Sequence, residues 1–353
     1  MDNSVQDAKS TKIYYFTGTG NAKKAAEWIK DSFALAGREA GLYNIASRLT
    51  TEEMKVNEST LLGFCYPTHG FNAPPIVLRF LWQLPKTSKK TKVFLLNTRA
   101  GMKMSKLYTP GVNGLALMLP AIILRLKGYR IVGYRPLDMP SNWISVHPGL
   151  RQKVIKSIVK RCKYMTMRFA DKLLAGKKVN RGLYDLPIDI LISPIAIGYY
   201  LYGRFILSKT FIATDACNQC RICEKECPVD AISMRNGMPY WSYNCESCMH
   251  CMNTCSQRAI ETPHAYTALV WWLAFSLIPV LILKYLPNAS DFTDLQSEAI
   301  YKLLQFVLGG LIIFGAYKVL HALMKFTAFN KLVAYTSLTR YAFWRRYKGP
   351  DVK

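Results

Sequence analysis

The chain has 353 residues, half of them hydrophobic, and a formal charge of +25 from 47 basic and 22 acidic side chains. This composition excludes a disordered chain, because it supplies enough apolar surface for two or three folded domains. The charge indicates a polyanionic partner, either nucleic acid or the anionic face of a membrane. Residues 1–12 are polar and lack the apolar core of a signal peptide, so we expect the N-terminal part in the cytosol, where thiols are reduced.

Strand and helix patterns alternate over residues 11–145, which predicts an α/β domain with a parallel sheet between helical layers. Buried strands are predicted at residues 13–16, 61–66, 93–97 and 129–134. Helices are predicted at residues 21–35, 74–82 and 114–126.

Residues 150–210 form a second region. It begins with an amphipathic helix whose apolar positions step by three and four: Ile155, Ile158, Cys162, Met165, Phe169 and Leu173. Its other faces carry eleven basic side chains against one acid, Asp171, so the helix either lies on a membrane or packs on the first domain with a solvated basic side. Residues 187–207 are apolar but contain Pro194 and Arg204, and we interpret them as a docking or interfacial segment, with a membrane span as the alternative.

Residues 211–262 contain eight of the ten cysteines, as one motif that occurs twice, 28 residues apart. The first copy is Cys217, Cys220, Cys223 and Cys227, and the second is Cys245, Cys248, Cys251 and Cys255. Bacterial two-cluster ferredoxins have this spacing, and in them the fourth cysteine of each motif ligates the other 4Fe–4S cluster. The same rule assigns the first cluster to Cys217, Cys220, Cys223 and Cys255, and the second to Cys245, Cys248, Cys251 and Cys227.

The alternatives for these cysteines are zinc and disulfides. A zinc site needs only four ligands in two separated pairs, and a disulfide scaffold would spread its cysteines along the chain. Pro228 follows the first motif, whereas Ser256 follows the second, which puts the turn geometry there in question. Cys65 and Cys162 are predicted to be core residues.

A short glycine loop follows the first predicted strand and leads into a helix: Thr17, Gly18, Thr19, Gly20 and Asn21. A strand, a tight loop and a helix N-terminus together form an anion site, because free N–H groups and the helix dipole face the ligand. The spacing excludes a P-loop, which needs Gly-Lys-Ser/Thr, and a dinucleotide fingerprint, which needs a third glycine where Lys23 stands.

At these residues the sequence resembles flavodoxin. The match comprises the loop with Ala22 after it, a second loop at Tyr66, Pro67, Thr68, His69, Gly70 and Phe71, and a third at Asn97, Thr98, Arg99, Ala100 and Gly101. The resemblance implies FMN, with its phosphate in the first loop, its isoalloxazine ring in the other two, and strand order 2-1-3-4-5. Ala22 removes one hydroxyl contact to the phosphate. Since these loops contain no Trp, we expect Tyr66, His69 or Phe71 to stack on the ring, although His69 fits a turn-capping role equally well.

Up to residue 262 the chain resembles the prokaryotic family that fuses a flavodoxin-like domain to a two-cluster ferredoxin. This resemblance implies a doubly wound α/β sheet followed by a small α+β ferredoxin domain, and it covers roughly three quarters of the chain. FMN and two 4Fe–4S clusters are the cofactors it implies.

Two apolar runs, residues 265–283 and 303–324, predict a transmembrane hairpin over residues 265–324. The connection carries Asp291, Asp294 and Glu298, and the tail at residues 325–353 is basic. Because basic residues favour the cytosolic side, we expect a multi-pass protein of a prokaryotic cytoplasmic membrane with its redox domains in the cytosol. Two buried helices are the alternative.

These elements favour an electron carrier that relays electrons between FMN, the clusters and redox partners. A membrane-bound reductase of quinone or another small acceptor is the alternative, although no acid/base constellation in the sequence requires an enzyme. A redox sensor ranks last because no output domain is recognisable. Expected partners are cytosolic redox proteins, membrane lipid and possible quinone acceptors, whereas nucleic acid is not expected because the apolar runs relate the charge to a membrane.

Overall fold

The computed structural model describes residues 10–56, 59–87, 91–278, 280–281 and 295–347. The chain forms two compact units. The first unit comprises Met1–Arg204, Glu246–Asn253 and Arg345–Lys353, and the second comprises Phe205–Cys245 and Thr254–Trp344. Part of the second cysteine motif, including Cys248 and Cys251, therefore belongs to the first unit.

Within the described residues, the first unit contains a six-stranded sheet. Its strands are β1 (Ser10–Tyr15), β2 (Ala40–Asn44), β3 (Thr60–Pro67), β4 (Lys92–Met104), β5 (Leu107–Thr109) and β6 (Arg130–Pro140). Strands β2, β1, β3, β4 and β6 are parallel neighbours in that order, and β5 runs antiparallel to the end of β4. Since β5 is antiparallel, β6 is the fifth parallel strand. The parallel strands therefore have the expected 2-1-3-4-5 order, which confirms a flavodoxin-like α/β sheet.

Strand β4 is longer than the sequence predicts. Residues 98–101, predicted as a loop, continue the strand because they pair with residues 137–140 of β6. Strand β2 is not among the predicted strands, since a short run containing Gly41 has no strong strand pattern.

Helices cover both faces of this sheet: α1 (Asn21–Leu35), α2 (Thr51–Met54), α3 (Pro75–Gln83), α4 (Leu115–Leu126) and α5 (Gln152–Leu174). The apolar face of α5 is buried with α1 on one side of the sheet, and the Phe169 ring lies 5.8 Å from the Phe94 ring. Of the two interpretations of α5, packing on the α/β domain is the one observed, so this face is not available to a membrane. Cys65 and Cys162 are buried in the same core, as predicted.

A single-turn 3-10 helix, Arg181–Asp185, leads from α5 into α6 (Leu186–Gly198), which ends in a π-helical turn at Tyr199–Gly203. The short helix α7 (Arg204–Leu207) follows.

The second unit combines short strands and helices around the first cysteine motif. Its strands are β7 (Ile212–Ala213), β8 (Ile232–Arg235), β9 (Met238–Trp241) and β10 (Ile260–Glu261). Strands β8 and β9 form one antiparallel pair, and β7 and β10 form another. Helix α8 (Ile222–Lys225) lies in the first motif. Helix α9 (His250–Thr254) lies in the second motif and, except for Thr254, belongs to the first unit.

Two longer helices, α10 (His264–Trp272) and α11 (Leu295–Leu323), complete this unit. A π-helical turn at Leu273–Leu277 continues α10, and α12 (Thr327–Tyr335) follows α11. Helices α10 and α11 pack together, since the Tyr266 hydroxyl donates to the Ala316 carbonyl at 2.6 Å.

Within the described residues, two helical stretches are long and apolar enough to cross a membrane by length and composition, Arg181–Thr210 and Glu298–Leu323. The second is the helix predicted as the second span. Residues 282–283 of the first predicted span, and the connection with Asp291 and Asp294, lie outside the described residues, as do residues 1–9 and 348–353. The hairpin therefore stays a prediction.

Candidate functional site

The glycine loop after β1 directs the N-terminus of α1 towards the carboxyl edge of the sheet. Gly20 caps the helix with φ of 92°, a left-handed conformation that favours glycine. The Thr17 hydroxyl oxygen accepts from the Gly20 N–H at 3.0 Å, which leaves the hydroxyl hydrogen free to donate elsewhere. The helix dipole and two threonine hydroxyls therefore face the same side, as an anion site requires.

A pocket opens at this edge, at the switch point between β1 and β3 where doubly wound sheets bind ligands. Most of the predicted loop residues line it: Thr17, Gly18, Thr19, Asn21, Ala22, Pro67, Thr68, His69, Gly70, Thr98 and Arg99.

The other predicted residues support the pocket from behind. The Tyr66 side chain is fully buried and donates to the Ala116 carbonyl at 2.9 Å, so it cannot stack on a ligand. The buried Asn97 amide donates to the Thr68 hydroxyl, Phe71 fastens the start of α4 through its carbonyl, and a Cβ on Gly101 would meet the Asp138 carbonyl at 2.4 Å. These contacts are evidence against Tyr66 as the ring partner, whereas a stacking role for the Phe71 side chain stays a prediction.

Sequence reasoning missed a second set of lining residues: Met139, Pro140, Ser141, Asn142, Trp143, Tyr199, Ser247, Cys248 and Met249. The rings of Trp143 and Tyr199 lie 6.3 Å apart and nearly perpendicular, and the Tyr199 ring fills the space beside Gly70. Aromatic side chains do border the pocket, but they come from the segment after β6 and from the π-helical turn after α6. The π-helical turn, a feature frequent at functional sites, leaves no signal in the sequence.

Charged and polar groups fix the remaining wall. Arg99 donates to Asp138 at 2.7 Å and to Asp185 at 2.6 Å. Burial alone would lower the pKa of Arg99, but the two carboxylates outweigh burial and raise it, so the guanidinium stays charged. The Ser141 hydroxyl lies 2.7 Å from Nε2 of His147 and links this wall to the protein surface.

Nδ1 of His69 and Nε1 of Trp143 are buried polar atoms of lining residues that lack a hydrogen-bond partner among the described residues. Leaving such an atom unsatisfied costs about 1–3 kcal/mol, so a ligand with polar edge atoms is a suitable occupant. Burial lowers the pKa of His69 to about 4, which keeps the imidazole neutral at physiological pH. An anion site at one end and aromatic and polar side chains along the pocket fit the phosphate and the ring of the flavin expected from the resemblance.

The second unit contains a separate cavity lined by four cysteines, Cys217, Cys220, Cys223 and Cys255. They are the set that the spacing rule assigns to the first cluster. Burial, together with the adjacent thiols of Cys217 and Cys255, raises the pKa of Cys223 to about 11. Thiols this close repel each other when ionised, and a cluster with iron at its corners would neutralise that repulsion.

The two cysteine motifs repeat in backbone conformation as well as in sequence. Left-handed non-glycine residues occur in pairs 28 positions apart: Gln219 and Ser247, Arg221 and Met249, and Asp230 and Arg258. The sulfur of the fourth cysteine accepts an N–H in both copies, from Ala231 at 3.2 Å and from Ala259 at 3.4 Å.

Ser256 does not disturb the turn after the second motif. The Arg258 N–H donates to the Cys255 carbonyl at 3.0 Å, and in the first motif the Asp230 N–H donates to the Cys227 carbonyl at 3.2 Å.

In the described part of the chain, no three His, Cys, Asp or Glu side chains are arranged to hold a single metal ion.

Within the first unit, the second motif packs against the glycine loop. A Cβ on Gly18 would lie 2.1 Å from the Cys248 carbonyl oxygen, and Nδ1 of His250 lies 2.8 Å from the Gly18 carbonyl. The buried Glu246 carboxylate accepts the Ile76 N–H at 2.9 Å, at the start of α3, and burial raises its pKa to about 7. Cys248 thereby becomes part of the pocket wall.

The family model of a 4Fe-4S binding domain matches residues 210–233, which contain the whole first motif. None of the curated proteins compared with the chain matches it. Among solved structures, flavodoxins from Streptococcus pneumonia TIGR4 and Bacillus cereus are similar to 47% of this chain and to 99% and 97% of their own, at 12% and 13% identity and TM-scores of 0.32. A Fusobacterium nucleatum flavodoxin variant bound to flavin mononucleotide is similar over 47% of this chain and 96% of its own, with 16% identity and TM-score 0.32.

TM-scores this low are not evidence for a fold. The fold of the first unit is established by its strand order alone. The chain thus combines a flavodoxin-like parallel sheet with a 4Fe–4S binding domain.

Proposed function

We propose that this chain is a membrane-anchored electron-transfer protein that relays electrons between FMN and two 4Fe–4S clusters. The observation that carries the proposal is Cys248, a predicted ligand of the second cluster, which forms part of the wall of the predicted flavin pocket. Electron transfer slows steeply with distance, so a ligand at the pocket wall brings the two redox centres within short range.

Each cofactor has its own protein groups. The hydroxyls of Thr17 and Thr19 and the N-terminus of α1 would hold the FMN phosphate, and Arg99 would present a fixed positive charge beside the ring. Cys217, Cys220, Cys223 and Cys255 would hold the first cluster. The proposal of a second cluster rests on the backbone conformation that the two motifs share.

When bound, the flavin exchanges one or two electrons and each cluster exchanges one, which lets the chain connect two-electron and one-electron partners. The protein contributes binding, fixed charge and a short separation. No substrate-specific acid or base is required, which is why we propose a carrier.

The apolar pair α10 and α11 supports anchoring in a prokaryotic cytoplasmic membrane, with the redox centres on the cytosolic side. Acidic soluble redox proteins are the partners that the basic surface would attract. Reporter fusions at Ser290 should read outside, and fusions at either terminus should read inside. A full-length protein that stays soluble without detergent would contradict the anchor.

The alternative, reduction of a quinone or another small acceptor, has one observation in its favour. A groove beside α10 and α11 is lined by the buried Lys209 together with Tyr266 and Tyr317. Oxidation of the reduced protein by soluble quinones would support the alternative if it saturates with quinone concentration and is lost when Ala316→Phe fills the groove.

The test of the relay is a matched pair of cysteine variants. Anaerobic protein should contain about eight irons, eight sulfides and one FMN. Cys220→Ser and Cys248→Ser should each lose one cluster, with FMN content unchanged.

After a light pulse that reduces the flavin, wild-type protein and Cys220→Ser should show rapid recovery of the flavin absorbance, because an electron moves to the cluster at the pocket wall. Cys248→Ser should lose this fast phase. Equal recovery in both variants would contradict the relay, and stoichiometric zinc in place of iron would exclude the clusters.

A further inference from the structure

The segment from Arg181 to Gly203 is fastened to the first unit along one side. Asp185 pairs with Arg99 at 2.6 Å. The carboxylate of Asp189, only 1% exposed, accepts the N–H groups of Asn113 and Gly114 at 3.2 and 2.9 Å, at the start of α4.

The same side continues into the flavin pocket. Ala196 is fully buried, and the Tyr199 ring lies against Gly70 in the pocket wall. One side of the segment is thus fixed by buried polar and aromatic contacts.

The opposite side is apolar and exposed. Four exposed side chains step by three and four along it, Tyr184, Ile188, Leu191 and Ile195, and Leu201 is exposed further along the segment. Leu191 is 75% exposed and Ile195 is 57% exposed. A contiguous face of large aliphatic side chains in water is unfavourable, and such patches mark a protein or membrane contact.

Composition alone makes this segment a candidate membrane span, but its contacts exclude that orientation. Crossing the bilayer would draw Asp185 and Asp189, with the groups that bind them, towards the hydrocarbon, where charged side chains are costly. A helix with one polar, occupied side and one apolar side instead lies along a membrane surface.

The flanking charges agree with an anionic surface. Lys177, Lys178 and Arg181 directly precede the segment and are exposed. Lysine and arginine beside an apolar face favour anionic headgroups.

We propose that α6 and the π-helical turn after it lie in the headgroup layer of an anionic phospholipid membrane and hold the flavin pocket at its surface. Tyr199 borders the pocket from the opposite side of this helix, so lipid would lie one helix diameter from the flavin site. The inference extends the proposed membrane anchoring but depends on different residues from the hairpin.

The test uses the full-length protein in phosphatidylglycerol/phosphatidylcholine vesicles that contain a lipid with a photoreactive diazirine on its acyl chain. After illumination, lipid adducts are mapped by peptide mass spectrometry. We expect adducts on residues 183–201 and on the hairpin helices, and none on the basic face of α5. In the double variant Leu191→Glu, Ile195→Glu, adducts on 183–201 should fall at least fivefold, while those on the hairpin stay unchanged.

The matched control is Leu35→Glu, Leu126→Glu, which changes two aliphatic side chains of similar exposure elsewhere on the first unit and should leave all adducts unchanged. Labelling of the hairpin without labelling of residues 183–201 overturns the inference, as does equal labelling of the Leu191→Glu, Ile195→Glu variant. Labelling of 183–201 alone supports the inference and contradicts the hairpin, and no labelling anywhere overturns both.

Discussion

The two cysteine motifs have the same spacing and the same backbone conformation, yet their surroundings differ. In the first motif Cys220 is exposed, whereas in the second Cys245 and Cys251 are buried and Cys248 borders the predicted flavin pocket. The residue after the first cysteine illustrates the difference. Asn218 is exposed, and its counterpart 28 positions later, Glu246, is buried against α3.

The spacing of the cysteines determines how a motif wraps a cluster, whereas the residues between the cysteines determine what the cluster faces. In our proposal the first cluster faces external partners and the second faces the flavin. Changes that disturb the packing of the second motif on the glycine loop, or the pocket itself, should therefore alter flavin binding, and matched changes on the first motif should not.

The largest effect is expected for Gly18→Ala, because the new Cβ would lie 2.1 Å from the backbone oxygen of Cys248. Backbone cannot yield as a flexible side chain does, so we expect a loss of stability on the order of 3 kcal/mol. FMN affinity should fall at the same time, since both sides of the contact line the pocket. Thermal unfolding and FMN titration measure the two effects.

The control for this variant is Gly198→Ala, where no atom lies within 4 Å of the added methyl group. It should behave like the wild type. A Gly18→Ala protein with unchanged melting temperature and FMN affinity would contradict the packing of the second motif on the glycine loop.

A smaller loss of stability is expected when the residue after the first cysteine is made the same in both motifs. Glu246→Asn shortens the side chain, which then no longer reaches the Ile76 N–H or Arg79. Leaving that half-buried donor unsatisfied costs about 1–3 kcal/mol. The reciprocal change, Asn218→Glu, lies in solvent and should cost less than about 0.5 kcal/mol. Equal shifts in unfolding midpoint for the two variants would mean that the surroundings of the motifs do not differ in energy.

A still smaller effect should come from Trp143, in another part of the pocket wall. Trp143→Phe keeps an aromatic ring but removes the buried N–H, which is without a partner in the described structure. If this group donates to the flavin, FMN binding should weaken by about 1 kcal/mol, or roughly fivefold. Trp82→Phe, at an exposed indole on α3, is the control and should bind FMN normally. Unchanged affinity in Trp143→Phe would exclude the indole as a flavin donor.

The last expected effect is a pH dependence, which is smallest at neutral pH and grows in acid. Burial lowers the pKa of His69 from 6.5 to about 4, so the unfolded chain binds this proton more readily than the folded protein does. Stability without flavin should therefore decrease as the pH falls from about 6.5 towards about 4. His69→Gln should flatten this part of the stability–pH curve, measured by denaturant unfolding at several pH values. An identical curve for the variant would show that His69 is not buried as a neutral imidazole.

Local features of the sequence were sufficient for much of the molecule. The alternating strand and helix patterns gave the parallel sheet, and the glycine loop gave the helix N-terminus at its edge, because these signals depend on residues that are neighbours in the chain. The cysteine spacing likewise predicted that Cys217, Cys220 and Cys223 line one cavity, because they are close in the chain, whereas Cys255 was assigned to it by the rule for two-cluster ferredoxins. The extension of β4 to Met104 was missed because it depends on pairing with β5 and β6.

The tertiary structure alone decided which side chains meet at the predicted flavin pocket. Trp143, Tyr199 and Cys248 come from three distant parts of the chain, and no spacing in the sequence relates them. It also decided that the apolar face of α5 is buried and that of α6 is exposed, although both helices have candidate membrane patterns. The physical reason is that periodicity shows that a helix has an apolar face, while only the packing of the other elements determines whether protein already covers it.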